Sequence, residues 1–414
     1  MKKNIENNHS VFYVNVIKFL ILILIFLRPF FDGFSSPAFN HTYNLIFFIM
    51  LPVSIVVLRK KLSFSYSQFC FLIFSILCLL FIPLWPVWTT TIKQFSYLFG
   101  LFATWFLFKM VFDEKEIPYV TSVFLCSMIL IIVYGIHQYF WGLEATRQTI
   151  SQHPELINAL SETYLDRIAS NRIFSTFVYP NTLAGYLLML YPVVFFYLFS
   201  QTGIQARILA GIVLIILLPV LAATESMGGW FCFIIVSFLM LMYLVLRGKY
   251  YIYFCFLFLI VFIFLAYTGF TGGLIPKFGS LADRINYWIS GMQIFKKYPL
   301  IGIGPGNFSQ FYLQFKIPGA MEAKFAHNLI VEILVCTGLI GFLTFLTALV
   351  FFIRGNIQNF LFSKNQLVVG YFFGITGIFL HCLVDFDYAN AAIICILFSF
   401  AGLVELSSNI KNIK

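Results

Sequence analysis

Apolar runs of about twenty residues follow one another along almost the whole chain, and no other feature limits the fold as much. A helix needs about 20 mostly apolar residues to cross the hydrocarbon core of a bilayer. Only helices or closed barrels satisfy every backbone group there. Such runs lie near residues 11–31, 42–58, 67–85, 92–112, 118–140, 176–200, 206–222, 226–246, 250–268, 326–353, 366–384 and 388–406. They predict an all-α integral membrane protein of about 12 transmembrane helices, one polytopic domain over residues 1–414. The chain is 61% hydrophobic and 10% charged, against about 45–50% and about 25% for a soluble domain. That composition excludes a soluble enzyme, a disordered chain and a disulfide scaffold. The first run follows Lys2 and Lys3 and reads as an uncleaved helix rather than a signal peptide.

A formal charge of +10 would suggest nucleic acid as the partner of a soluble chain. Here the basic residues collect in short loops on one side: Arg59-Lys60-Lys61, Lys109 with Lys115, Arg207, Arg247 with Lys249, and Arg354 with Lys364. Lys411 and Lys414 join them, while the opposite short loops hold little beyond Arg28 and Lys93. The positive-inside rule then puts both termini in the cytoplasm, and no nucleic-acid partner is expected. The two long loops, 141–175 and 269–325, fall on the other face. The eight Cys lie inside apolar runs, none at metal-ligand spacing, so no metal or cofactor is expected. Asp385 and Asp387 are the one acidic pair with any claim to a metal.

Loop 269–325 has a pattern of its own. Thr271-Gly272-Gly273 signals a turn. Ser280-Leu281-Ala282-Asp283 resembles a capping box. Leu281, Ile285, Trp288, Met292 and Phe295 recur at a helical period, and Lys296, Lys297 and Pro299 close the helix. This predicts an amphipathic helix lying on the membrane surface. Gly302-Ile303-Gly304-Pro305-Gly306 forms a tight bend. It is no dinucleotide fingerprint, because no βαβ unit surrounds it.

Candidate functional residues stand at the ends of the spans. His327, beside Asn328 at the start of the tenth run, can accept a proton from an attacking hydroxyl, or be an inert interfacial His. Arg284, in the first turn of the loop helix, suits a phosphate or diphosphate; it can equally snorkel or pair with Asp283. Lys277, Lys296, Lys297, Lys316 and Lys324 make a basic field that attracts an anionic substrate or lipid headgroups. Arg172 lies at the end of loop 141–175, and Asn181, after Tyr179-Pro180, enters the sixth run. Glu225 sits in a short turn with Ser226 and Gly228. His381 and Asp385, four apart, are read as a structural pair. Glu332, five residues beyond His327, falls on a different helix face from it.

Together these residues resemble the O-antigen ligase and polymerase superfamily over residues of about 170–390. The matching pieces are Arg172 to Asn181; Arg284 with Trp288; Tyr298 to Phe308; His327-Asn328 with Glu332 and Gly338-Leu339-Ile340-Gly341; and His381-Cys382-Leu383-Val384-Asp385-Phe386-Asp387. One departure is Met227, where the family commonly carries an Arg after its Thr-x-Ser turn. The resemblance implies a GT-C-like bundle with a large structured periplasmic loop, in the bacterial inner membrane. It implies an inverting, metal-independent glycosyltransferase that takes glycan from undecaprenyl diphosphate. A ligase passes the glycan to lipid A-core, a polymerase to another lipid-linked unit, and relatives to protein. By this similarity His327 is the base and Arg284 holds the diphosphate, with Arg172, Asn181, Asn328, Lys296 and Lys297 around the substrate. Ligase is the leading reading and polymerase the alternative. A transporter or flippase, or a non-catalytic envelope scaffold, stands behind them. No internal repeat or pair of Gly/Pro-broken spans supports a transporter.

Overall fold

The computed structural model describes residues 2–31, 37–58, 63–155, 157, 160, 162–200, 203–246, 248–271 and 279–406. The basic positions Arg59, Lys60, Lys61, Arg247, Lys277, Lys411 and Lys414, and most of the Thr271–Gly273 turn, lie outside them. Among the described residues the secondary structure is helix and turn, with no strand. The helices are α1 (Lys2–Leu27), α2 (Pro37–Leu58), α3 (Tyr66–Leu80), α4 (Trp88–Val111), α5 (Ile117–His137), α6 (Leu143–Gln152) and α7 (Glu162–Ala169). They continue as α8 (Pro180–Ser200), α9 (Ile204–Ala223), α10 (Met227–Val245), α11 (Lys249–Thr271), α12 (Gly279–Lys297) and α13 (Phe308–Phe315). The last three are α14 (Leu329–Phe362), α15 (Gln366–His381) and α16 (Ala391–Leu406).

A helix occupies every apolar run read from the sequence. Among the described residues, eight helical segments are long and apolar enough to cross a membrane. Four more apolar stretches are shorter: Tyr66–Leu80, Lys249–Val261, Gln366–His381 and Ala391–Leu406. The chain is thus a multi-pass membrane protein.

The centre of the bundle is the pair α8 and α15, each buried along most of its length. A stripe of small residues brings them together. A Cβ on Gly374 would strike the Met189 carbonyl, and one on Gly370 would stand 3.0 Å from the Val193 Cα. In an apolar medium close backbone approach replaces the hydrophobic effect as the source of helix association. The outer helices bury less. α10 leaves Ile234, Leu241 and Val245 exposed, as helices surrounded by lipid do.

One expectation is corrected here. The tenth run is not one continuous span: α14 is interrupted at Gly338, whose φ of 64° and ψ of −170° are non-helical. The Val335 and Cys336 carbonyls, deprived of helical donors, accept instead from Ile303 N–H (3.2 Å) and Gly304 N–H (2.8 Å). Leu339 N–H and Ile340 N–H donate to the Pro299 and Leu300 carbonyls at 2.8 and 3.1 Å. The bend at Gly302–Gly306 is therefore stitched into the break.

The buried face of α12 runs through Tyr287, Ser290 and Ile294, while Met292 and Ile289 are exposed. The helix packs on a separate small core with Phe308, Phe311, Tyr312 and Val335, and Trp288 and Phe295 of the expected apolar stripe pack against that core as well. The approach is close at Gly291, where a Cβ would stand 3.0 Å from Val331. Arg284, seven residues before Gly291, lies on this same inward face.

Candidate functional site

Three loops and two helix ends meet at one end of the bundle, and Asp385 is where they join. α15 stops at His381, and the turn that follows closes through Val384 N–H and Asp385 N–H to the His381 carbonyl at 3.0 and 2.8 Å. This places Asp385, 1% exposed, beneath the loops. Its Oδ2 accepts from Arg284 Nη2 at 2.8 Å and from Asn181 Nδ2 at 2.7 Å. Its Oδ1 accepts from Phe386 N–H at 2.8 Å and faces His327 Nδ1 at 3.6 Å, an ion-pair separation rather than a hydrogen bond. Asn181 continues the chain, its Oδ1 accepting from Arg172 Nη2 at 2.8 Å. Arg172 Nε donates to the Thr224 carbonyl at 2.8 Å.

Burial alone would push the Asp385 carboxyl up. The neighbouring His327, His381 and Arg284 outweigh it and hold the carboxyl well below the usual carboxylate range. Asp385 is therefore an anion that holds the Arg284 guanidinium and the Asn181 carboxamide and faces the His327 ring. Arg284 commits one terminal nitrogen to it, and Arg172 keeps Nη1 uncommitted. These N–H groups remain able to receive an anion with several oxygens.

The sequence paired His381 with Asp385, and the structure does not. Asp385 N–H still closes an i, i+4 turn onto the His381 carbonyl, but the two side chains do not bond to each other. His381 Nδ1 instead meets Asp387 Oδ2 at 2.5 Å, both buried. Burial pushes the Asp387 carboxyl up to about 6 against the pull of His381. The two aspartates thus serve different partners. Among the described residues no group of three or more His, Cys, Asp or Glu is placed to hold a metal ion.

His327 is set by its neighbours in sequence. Asn328 caps α14: its Oδ1 accepts from Ile330 and Val331 N–H at 2.9 and 3.1 Å, and its Nδ2 donates to the Leu383 carbonyl at 2.9 Å. Both ends of the carboxamide are thus occupied by the protein. Glu332, on a different face from His327, reaches back to accept from Ala326 N–H at 2.7 Å and from Tyr388 Oη at 3.2 Å. The ring of His327 lies against Phe386 and Tyr287, centroids 4.7 and 5.5 Å away.

Strain marks the same place. Among the described residues three that are not glycine have positive φ: Ser175 (52°), Glu225 (51°) and His327 (52°). Each lies in a segment that builds this cluster. Such backbone is held only where surrounding structure forces it, and functional sites collect it.

The site also uses residues that the sequence did not single out. Beyond α5 one π turn, Gln138–Gly142, interrupts the helical register. It turns the buried Gln138 so that its Oε1 accepts from both Phe174 and Ser175 N–H at 2.8 Å. Gln138 thereby holds the segment that carries Arg172. The one signal was a carboxamide inside an apolar run. Gln138→Leu leaves two buried amides without an acceptor, at about 1–3 kcal/mol each. Its thermal unfolding midpoint in detergent is expected to drop, while Gln138→Glu, which still accepts, melts near wild type.

The other sequence candidates lie elsewhere. Lys296 and Lys297 are exposed at the far end of α12, about 18 Å along the helix from Arg284 at 1.5 Å per residue. The Lys297 ammonium sits over the rings of Tyr298 and Phe315. Glu225 is exposed beside Arg172, and Met227 is 64% exposed at the start of α10.

No curated protein matches the chain. The family model described as O-antigen ligase matches residues 212–346. That stretch contains Arg284, His327, Glu332 and the Gly338 break, while Arg172, Asn181 and Asp385 join the site from outside it. This match, over about a third of the chain, agrees with the resemblance read from the motifs: the chain is similar to O-antigen ligases across that stretch.

Proposed function

We propose that the chain is an inverting glycosyltransferase that moves glycan from undecaprenyl diphosphate to lipid A-core or a related acceptor, as O-antigen ligases do. The observation that supports this most is the convergence of Arg284, Arg172 with Asn181, and His327 on one buried carboxylate. Arg284 and Arg172 bind the diphosphate. Negative charge grows there as the bond from the sugar C1 to the phosphate oxygen breaks, and fixed donors lower the barrier. His327 takes the proton of the acceptor hydroxyl as its oxygen bonds to C1 from the opposite face. Arg172 supplies the second cation that Met227 does not. The reading places about twelve spans in a GT-C-like bundle of the inner membrane, with cytoplasmic termini and the site facing the periplasm.

The test is glycan transfer by the purified protein in nanodiscs, given native undecaprenyl-diphosphate glycan with or without lipid A-core. A ligase forms product only with lipid A-core, and Arg284→Gln lowers the rate about 10²–10³-fold, the usual loss for one such donor. Longer lipid-linked glycan without lipid A-core would make it a polymerase. No product from any native donor would turn the argument toward a transporter or scaffold.

A further inference from the structure

Beside the cluster lies a row of aromatic rings that the transfer chemistry described above does not use. Tyr179 packs edge-on against Phe386, centroids 5.1 Å apart. Phe325 lies nearly parallel to Phe386, 5.7 Å away and tilted by 16°. The same Phe386 touches His327. The three rings come from the three segments that deliver the polar site: Tyr179 stands two residues before Asn181, Phe325 two before His327, and Phe386 directly after Asp385. Tyr179 is 37% exposed, and Phe325 and Phe386 are half-buried. Cations line the outer ends, with the Arg167 guanidinium over Tyr179 at 4.6 Å and the Lys324 ammonium over Phe325 at 5.5 Å.

We propose that Tyr179, Phe386 and Phe325 form a stacking platform for one pyranose ring, held so that a sugar hydroxyl or C1 lies beside His327. A pyranose presents a face of polarised C–H bonds, which complements the negative face of an aromatic ring. Its hydroxyls stay at the rim, where Arg167 and Lys324 can donate to them. A lipid tail would gain nothing from cations at the edge, and a bare diphosphate would gain nothing from ring faces. The occupant that fits both is a sugar next to the reacting bond. The inference rests on the glycosyl-transfer reading and adds the saccharide subsite to it. The ring belongs either to the lipid-linked donor or to the acceptor glycan.

Thermophoresis of the full-length protein in nanodiscs separates these cases with three probes. They are bare undecaprenyl diphosphate, the host's own undecaprenyl-diphosphate glycan, and lipid A-core. Wild type is expected to bind the glycan-bearing lipid about tenfold more tightly than the bare lipid, the scale of one good ring contact. Phe325→Leu, which keeps apolar bulk but removes the ring face, abolishes that margin and leaves the bare lipid's Kd unchanged. Phe325→Tyr keeps the margin. Weakening of lipid A-core binding alone by Phe325→Leu assigns the platform to the acceptor sugar. A Leu variant with undiminished affinity for both glycan probes overturns the platform, and so does a Tyr variant as weak as Leu. Failure of wild type to bind even bare undecaprenyl diphosphate overturns the diphosphate reading itself, a result distinct from loss of the sugar margin alone.

Discussion

Asp385→Ala is expected to lower glycan transfer by about 10³–10⁴-fold, more than loss of either arginine. The carboxylate holds Arg284 and Asn181 on one oxygen and faces His327 with the other, so, on the proposed glycosyl-transfer reading, one truncation disturbs the charge-stabilising donors and the base together. Those contributions are each about 10²–10³ and 10²–10⁴ when removed singly. The Ala variant also strands Arg284, whose side chain is 13% exposed; breaking a buried ion pair by removing one partner costs about 3–5 kcal/mol. Asp385→Asn keeps the shape and separates the two effects: it should stay folded and monodisperse yet transfer slowly. The charge itself persists across the neutral range. The folded-state carboxyl lies below its ordinary value, so its contribution to stability is present above the ordinary carboxylate range and is lost only as pH falls toward the folded value. Initial transfer rates of the purified variants decide the matter. An Ala variant within tenfold of wild type, in a preparation where Arg284→Gln is impaired, would remove Asp385 from the site.

Helix positions were legible because hydropathy over a membrane-length window is a strong local signal. Arg284, His327 and Arg172 were legible for a related reason: a charged or titratable group at the end of an apolar span has few plain explanations. What the sequence concealed depends on backbone that stops being regular. The pairing of His381 with Asp385 assumed that α15 continues, and it ends at His381. The inward face of α12 was legible in part: Trp288 and Phe295 mark it, whereas Ser290 and Gly291 pack closely without being apolar. Gln138 carried no periodic signature, since its role depends on a π turn, which shifts the register by one residue. Lys296 and Lys297 stand at the end of α12 away from Arg284, and a basic count over a loop says nothing about which end of a helix faces the site.

Gly338→Ala is expected to prevent accumulation of folded protein, while Gly355→Ala in the same helix is neutral or slightly stabilising. The contrast isolates the break in α14. At Gly338 the backbone occupies a region that is essentially open only to glycine, and an L residue there costs about 1–3 kcal/mol. Space is the larger obstacle, because a Cβ would overlap the Leu300 carbonyl group and Ile301 N. Gly302 faces it from the other side, where a Cβ would lie 2.5 Å from the Cys336 carbonyl carbon. No flexible side chain is available to yield, so the two segments must separate. The four hydrogen bonds between residues 299–304 and 335–340 are then lost; the two to the Val335 and Cys336 carbonyls join buried residues, and each leaves buried groups unsatisfied at about 1–3 kcal/mol. With the backbone strain, that is a large share of the whole stability of an ordinary domain, about 5–15 kcal/mol. Gly355 has nothing within 4 Å of its would-be Cβ, and Ala in a helix interior gains about 0.5–1 kcal/mol over Gly. Detergent-extracted yield and gel-filtration profiles of the two variants provide the measurement, with thermal midpoints for whatever elutes as a single species. The break also matters for the site: the short piece before Gly338 carries Asn328 and Glu332, which fix the loop of His327. If Gly338→Ala accumulates and melts like wild type, the stitch is not what holds that piece in place, and the orientation of His327 must be set by Asn328 and Glu332 alone.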